Sequence, residues 1–160
     1  MKKIINKILI AAVCMAALSM NSCKKKDAEK ADANLLTSAT WKVTKVEWHK
    51  TDGNWVDLPS GYGEAMDMPV GMSLTLFDSG AYAASYGTNS SGGAGTWQLS
   101  SDRKQLTLFT SGGYSETATI ATLTSSTLQL SAPLSGNDYD YDEVTGTFTY
   151  YDAERVTFIH

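Results

Sequence analysis

From Thr40 to the end of the chain, short runs in which apolar residues alternate with Ser, Thr and other polar residues recur between turn signals. This period-two texture constrains the fold more than any other feature. An alternating run has one apolar and one polar face, so it satisfies both only as a strand laid against a core. Leu74 and Leu76 share a face in "MSLTLFD", Tyr82 and Tyr86 in "AYAASYG", and Trp97 and Leu99 in "AGTWQLS". Leu106 and Leu108 do so in "QLTLFT", and Leu128 and Leu130 in "TLQLS". "YSETATIA" reads as a further strand. Val144, Phe148 and Tyr150 align in "EVTGTFTYY", and Val156, Phe158 and His160 in "RVTFIH". "TDGN", "DSGA", "SDRK", "SGG" and "DAE" supply the turns. In "TWKVTKVEWH" the phase changes from Trp41 and Val43 to Val46 and Trp48, which predicts a bulge near Lys45.

The pattern predicts an all-β domain of about 8–10 antiparallel strands joined mostly by tight turns. Such a meander closes into a barrel or folds into a sandwich, and a barrel removes the exposed edges. Ahead of it, "NLLTSA" predicts a short helical turn that closes one end.

The front of the chain has a different character. Lys2, Lys3 and Lys7 precede or flank the apolar run "ILIAAVCMAAL" at residues 8–18. A basic start followed by an apolar stretch of this length is the pattern of a secretory signal, and the run is shorter than the roughly 20 residues of a membrane-spanning anchor helix. The boundary Met20-Asn21-Ser22-Cys23 resembles a bacterial lipobox, with Met20 where Leu or Val is usual. The resemblance implies that Cys23 becomes the first residue of the mature chain and carries acyl groups. Two or three acyl chains hold a protein on a membrane where one binds marginally. Lys24–Lys26 follow, either against lipid headgroups or as part of a solvated tether. The expected organisation is a signal peptide at 1–22, an acylated cysteine and charged tether at 23–34, and a barrel domain at 35–160.

Charge limits the partners. Removing residues 1–22 leaves 10 basic against 17 acidic residues, and from Ala31 onward the balance is 6 against 15. Such a body repels nucleic acid backbones, so no nucleic-acid partner is expected. Of the two cysteines, Cys14 leaves with the signal and Cys23 is the lipidation site, so no thiol remains for a disulfide, a thiolate metal site or a catalytic nucleophile.

The order "LLTSATWKV", "LTLFDSGAY", "GTWQLSSDRKQLTLF", "ATIATLTSSTLQLS" is similar to the lipocalin-like domain lipoproteins common in Bacteroidota envelopes. The similarity covers nearly all of residues 34–160. It implies an up-and-down, calycin-type β-barrel. Its shared motifs are structural, so it transfers no catalytic residue, and no cofactor is expected.

A barrel of about eight strands has an interior that side chains fill or that holds one small ligand. Tyr82, Tyr86, Trp97, Phe148, Tyr150 and Phe158 are candidate lining; the alternative is that they simply pack the core. "PSGYGEAMDMPVG" (59–71) is the longest segment without strand character, and long loops on compact barrels often serve as lids or binding loops. It carries Tyr62, Met66 and Met68, with Trp55 at its entrance, and methionine suits adaptable apolar contacts. The alternative is a plug closing one end. Asp138, Asp140 and Asp142 have the D-x-D-x-D spacing that begins a calcium loop. Glu143 stands where the loop's glycine belongs and Thr149 where its bidentate glutamate belongs, which favours a solvated hairpin tip. Only His49 and His160 are present, and no catalytic motif appears.

The expectation is a non-catalytic lipoprotein of the bacterial envelope, most simply at the outer membrane and facing the periplasm, that binds a small, partly apolar ligand at the barrel mouth. The alternative is an interaction module that docks another envelope protein through an acidic or exposed apolar surface.

Overall fold

The computed structural model describes residues 32–58, 66, 68–87 and 90–160. The signal, Cys23 and the tether up to Ala31, and Tyr62 in the long loop, lie outside the described residues.

Among the described residues nine strands follow a short helix, α1 (residues 32–37). They are β1 (Thr40–Lys50), β2 (Trp55–Asp57), β3 (Met72–Leu76), β4 (Ala81–Tyr86), β5 (Ser90–Leu99), β6 (Gln105–Thr110), β7 (Ser115–Leu123), β8 (Thr127–Asp142) and β9 (Thr147–Ile159). β1 and β3 to β9 pair in sequence, and β9 returns to pair with β1, which closes an eight-stranded antiparallel barrel. β2 pairs beside the second half of β1 (Trp48↔Val56), where β3 no longer runs alongside it.

Alternation builds this wall. Trp41, Val43, Leu74, Leu76, Leu106, Leu128, Leu130, Val156 and Phe158 point inward and are almost wholly buried. Outward positions carry threonines that pair across strands, Thr40 with Thr75 and Thr107 with Thr117, each at 2.9 Å. Apolar inside and polar outside is the reverse of a transmembrane barrel. The predicted phase change in β1 is a bulge: the register on β9 shifts between Val43 and Lys45. Thr44 and Lys45 are exposed, while Trp41 and Val43 before them and Val46 and Trp48 after them are buried.

One end of the barrel is closed. Leu36 of α1 is 0% exposed, and the Trp41 indole N–H donates to the Leu36 carbonyl at 2.8 Å. The His160 ring meets Trp41 edge-on at 5.1 Å and donates to the Ser125 carbonyl. Arg103, in the turn between β5 and β6, holds Asp32 of α1 at 3.0 Å. Two glycines of β5 are required by close packing: a Cβ on Gly92 would lie 1.9 Å from the Ala84 carbonyl oxygen, and one on Gly95 would lie 1.9 Å from the Phe109 carbonyl oxygen and 2.9 Å from the Tyr82 ring.

At the other end the strands stop at different heights. β7 pairs with β8 as far as Thr119↔Ser131, and β1 with β9 as far as Lys50↔Tyr151. Beyond a bulge between Pro133 and Asp138, β8 and β9 continue together alone as a two-stranded ribbon, from Asp138↔Tyr151 to Asp142↔Thr147.

Candidate functional site

The open end is formed by the start of β3, the end of β4, the start of β5, the end of β6 and the start of β7. Met66 and Met68 reach in from the segment that leads to β3. They are 3% and 4% exposed and belong to the core cluster. The turn that follows is fixed by the Gly71 amide donating to the Val43 carbonyl at 2.9 Å. The two methionines therefore belong to the core and also line a cavity.

That cavity holds about 140 Å³ and is half open. Its apolar walls are Met66, Met68, Met72, Leu74, Ala84 and Leu108, and its polar groups come from Tyr82, Tyr86, Thr110 and Glu116. A void of about 10 Å³ lies behind the same methionines, against Leu106, Ala118 and Leu130. Among the described residues Glu116 is the only charged side chain that lines the main cavity. Burial raises the pKa of the Tyr82 hydroxyl above its ordinary value, and the charge of Glu116 raises it further. Tyr82 is therefore a neutral donor at physiological pH. A methionine roof, an apolar wall and a few convergent polar groups are the usual makings of a small-molecule site.

Of the residues singled out from sequence, Met66, Met68, Tyr82 and Tyr86 line the cavity. Five others stand elsewhere: Phe158 and Trp97 take the alternative place, in the core, and Phe148, Tyr150 and Trp55 stand away from the cavity. Phe158 is wholly buried and packs the core away from the cavity, and Trp97 packs partly buried against that core with its indole N–H on the Phe77 carbonyl at 2.9 Å. Phe148 and Tyr150 lie on the ribbon beyond the barrel, 52% and 48% exposed. The period-two pattern placed them on one face correctly, but that face meets solvent because the other strands have ended.

Trp55 is on β2, outside the wall, where the Arg155 guanidinium sits 4.2 Å from its ring. His49 packs against the same ring at 4.9 Å and contacts Asp152 at 2.7 Å. Beneath them Glu47, 6% exposed, binds Arg155 and Lys45, each at 2.9 Å. Lys45 also reaches Asp57 at 2.8 Å, and these two carboxylates raise its pKa, with the Asp57 hydrogen bond first. This network clips β2 to β1 and β9.

Asp138, Asp140 and Asp142 do not converge on a cation site. Asp142 accepts from the amides of Val144 and Thr145 at 2.8 and 3.2 Å and caps the ribbon's turn, and its hydrogen bonds with Thr145 and Val144 lower its pKa. Asp140 accepts from the Tyr151 hydroxyl at 2.9 Å. Among the described residues no group of three or more His, Cys, Asp or Glu side chains is placed to hold a metal ion.

Sequence reasoning passed over Glu116, Leu108 and Thr110. For Glu116 a signal exists: it is in phase with Ala118 and Ile120, so an acid stands on an inward face. The others are ordinary strand residues made into lining by cross-strand register, as in Leu108↔Glu116.

Comparison with known families places residues 37–130, more than half of the chain, within the model of the lipocalin-like domain. No curated protein matches the chain.

Proposed function

The chain belongs to the lipocalin-like domain family, and on that premise we propose that its barrel holds a small, partly apolar molecule at the open end, beneath Met66 and Met68. The observation that carries this reading is the cavity of about 140 Å³ with six apolar walls and four polar side chains. An engineered apolar cavity of about 150 Å³ takes benzene, so the unchanged site suits one ring or a short branched chain. A longer ligand displaces the methionines, whose flexible side chains repack at low cost. Tyr82 donates to an acceptor on the ligand, and Glu116 favours a hydrogen-bond donor or a cationic end. The reading is of a binding protein, with burial and a few hydrogen bonds as its chemistry.

In the same reading Cys23 carries the acyl anchor that holds the chain at the bacterial envelope, most simply the outer membrane on its periplasmic side. The basic start, the apolar run and the cysteine before three lysines support it. Palmitate labelling that persists in Cys23→Ala would overturn the anchor.

Native mass spectrometry of the full-length chain, gently extracted from its own membranes, tests the binding proposal. A retained small-molecule mass that disappears in Ala84→Phe, which fills the cavity, is the expected result. A bare chain, or a retained mass unchanged in Ala84→Phe, overturns it.

A further inference from the structure

The ribbon formed by Asp138–Asp142 of β8 and Thr147–Tyr151 of β9 carries an aromatic ladder on one face. Tyr139 pairs with Tyr150 and Tyr141 with Phe148. Ring centroids lie 4.8 Å apart for Tyr141 and Phe148, 5.2 Å for Tyr139 and Phe148, and 6.0 Å for Tyr139 and Tyr150. Even so, each of the four rings remains 48–53% exposed. Contiguous exposed apolar surface of this kind marks an interaction site on a soluble protein.

Three properties of the ribbon bear on what it binds. Its residues 138–151 include Asp138, Asp140, Asp142 and Glu143, with no Lys, Arg or His. Its rings present negative π-faces, which attract guanidinium and ammonium groups. Its two strands have no neighbouring strand among the described residues beyond Ser131 on the β7 side and Lys50 on the β1 side; on the β9 edge the Tyr150 carbonyl accepts from the Thr51 amide at 3.1 Å, and the edges beyond it have room for an added strand. Anionic lipid surfaces and nucleic acids carry the wrong charge for such a surface. We propose that the ribbon is a docking site for an extended protein segment rich in Arg or Lys, which stacks its cations on the ring ladder, is drawn in by the negative charge of the ribbon's carboxylates and adds its backbone to a ribbon edge. This proposal is independent of the cavity, since no ribbon residue lines it.

The test measures binding of a labelled peptide of alternating Arg and Thr to the full-length chain by fluorescence anisotropy. A peptide with Glu in place of Arg, and the neutral oligosaccharide cellohexaose, are measured alongside. Y141T/F148T removes two rings while keeping strand-forming residues. D138N/E143Q removes two charges, leaves every ring, and spares the structural Asp140 and Asp142. Binding of the Arg peptide is expected to weaken about tenfold in Y141T/F148T, as for loss of a binding hot spot. In D138N/E143Q it is expected to weaken and to lose part of its salt dependence. Equal affinity in Y141T/F148T, equal binding of the Glu peptide, or no binding of the Arg peptide overturns the proposal. Ring-dependent capture of cellohexaose without the Arg peptide also overturns it and makes the ladder a glycan platform. Should Y141T/F148T lose the ribbon, D138N/E143Q decides: unchanged affinity and salt dependence there overturn the proposal.

Discussion

The Trp41 indole N–H donates to the Leu36 carbonyl at 2.8 Å, across the closed end of the barrel. Both residues are wholly buried, so one hydrogen bond ties α1 to the first strand with no water to replace it. Trp41→Phe keeps an aromatic ring, removes the donor and leaves a buried carbonyl unsatisfied. The expected cost is about 1–3 kcal/mol, measured by urea unfolding. Leu36→Ala opens a cavity at the same place and should cost about 2–5 kcal/mol.

Gly95 stands where Phe109 on one side and Tyr82 on the other leave no room for a methyl group. The nearest clash is with backbone, which cannot turn aside as a flexible side chain can. Gly95→Ala should destabilise the barrel by about 1–3 kcal/mol and disturb the cavity through Tyr82. Gly53→Ala, in the β1–β2 turn, meets no atom within 4 Å but has a φ of 102°. Its cost is backbone strain alone, so it should leave the Tyr82 environment unchanged. Comparing the NMR spectra of the two variants checks this.

Burial pushes the Tyr151 hydroxyl up to about 12, helped by its hydrogen bond to Asp140 and that residue's charge. An unfolded tyrosine titrates near 10, so the folded chain holds this proton more tightly. The resulting stability is complete below about pH 10 and is lost as pH rises from there through about 12. Tyr151→Phe should lower stability at neutral pH by about 1 kcal/mol and flatten the decline above pH 10. Unfolding midpoints measured across pH 8–12 show both effects.

Glu47 is buried on the outer wall between Lys45 and Arg155. Arg155→Ala removes one of its cations and uncovers the Trp55 ring. The expected loss is about 1–2 kcal/mol, because Lys45 still faces Glu47 and Arg155 is partly exposed. Trp55 emission should shift to the red, and a parallel Trp55→Phe variant identifies that signal.

Met66→Ala and Met68→Ala shorten the two side chains over the cavity. Each should cost about 2–5 kcal/mol and enlarge the site. Ligands bulkier than benzene should then bind more tightly relative to benzene than they do to the unaltered chain, as titration with benzene and naphthalene would reveal.

Much of the fold was legible because strand alternation is local. The β1 bulge could be read from a change of phase between Val43 and Val46, the first hairpin from "TDGN", and the closing helix from Leu35 and Leu36 ahead of Trp41. The site was legible only in part. Met66 and Met68 stood out as apolar residues in a long loop, and Tyr82 and Tyr86 as a pair in phase. Glu116 needed attention to an acid on an inward face. Phe148 and Tyr150 were misplaced because alternation says which residues share a face, whereas what the face meets depends on how far the neighbouring strands extend. Trp55 was misplaced because "TDGN" announces that β2 pairs with β1, but not that β2 stays out of the closed ring of strands.

The position of α1 gives the barrel a direction. Asp32 and His160, at the two ends of the described chain, both lie by the closed end, while the cavity and the ring ladder lie at the opposite one. Anything that tethers the chain through the residues ahead of Asp32 therefore grips the base of the cup. Its rim is turned outward, and cargo or partner approaches without having to pass the surface on which the protein stands.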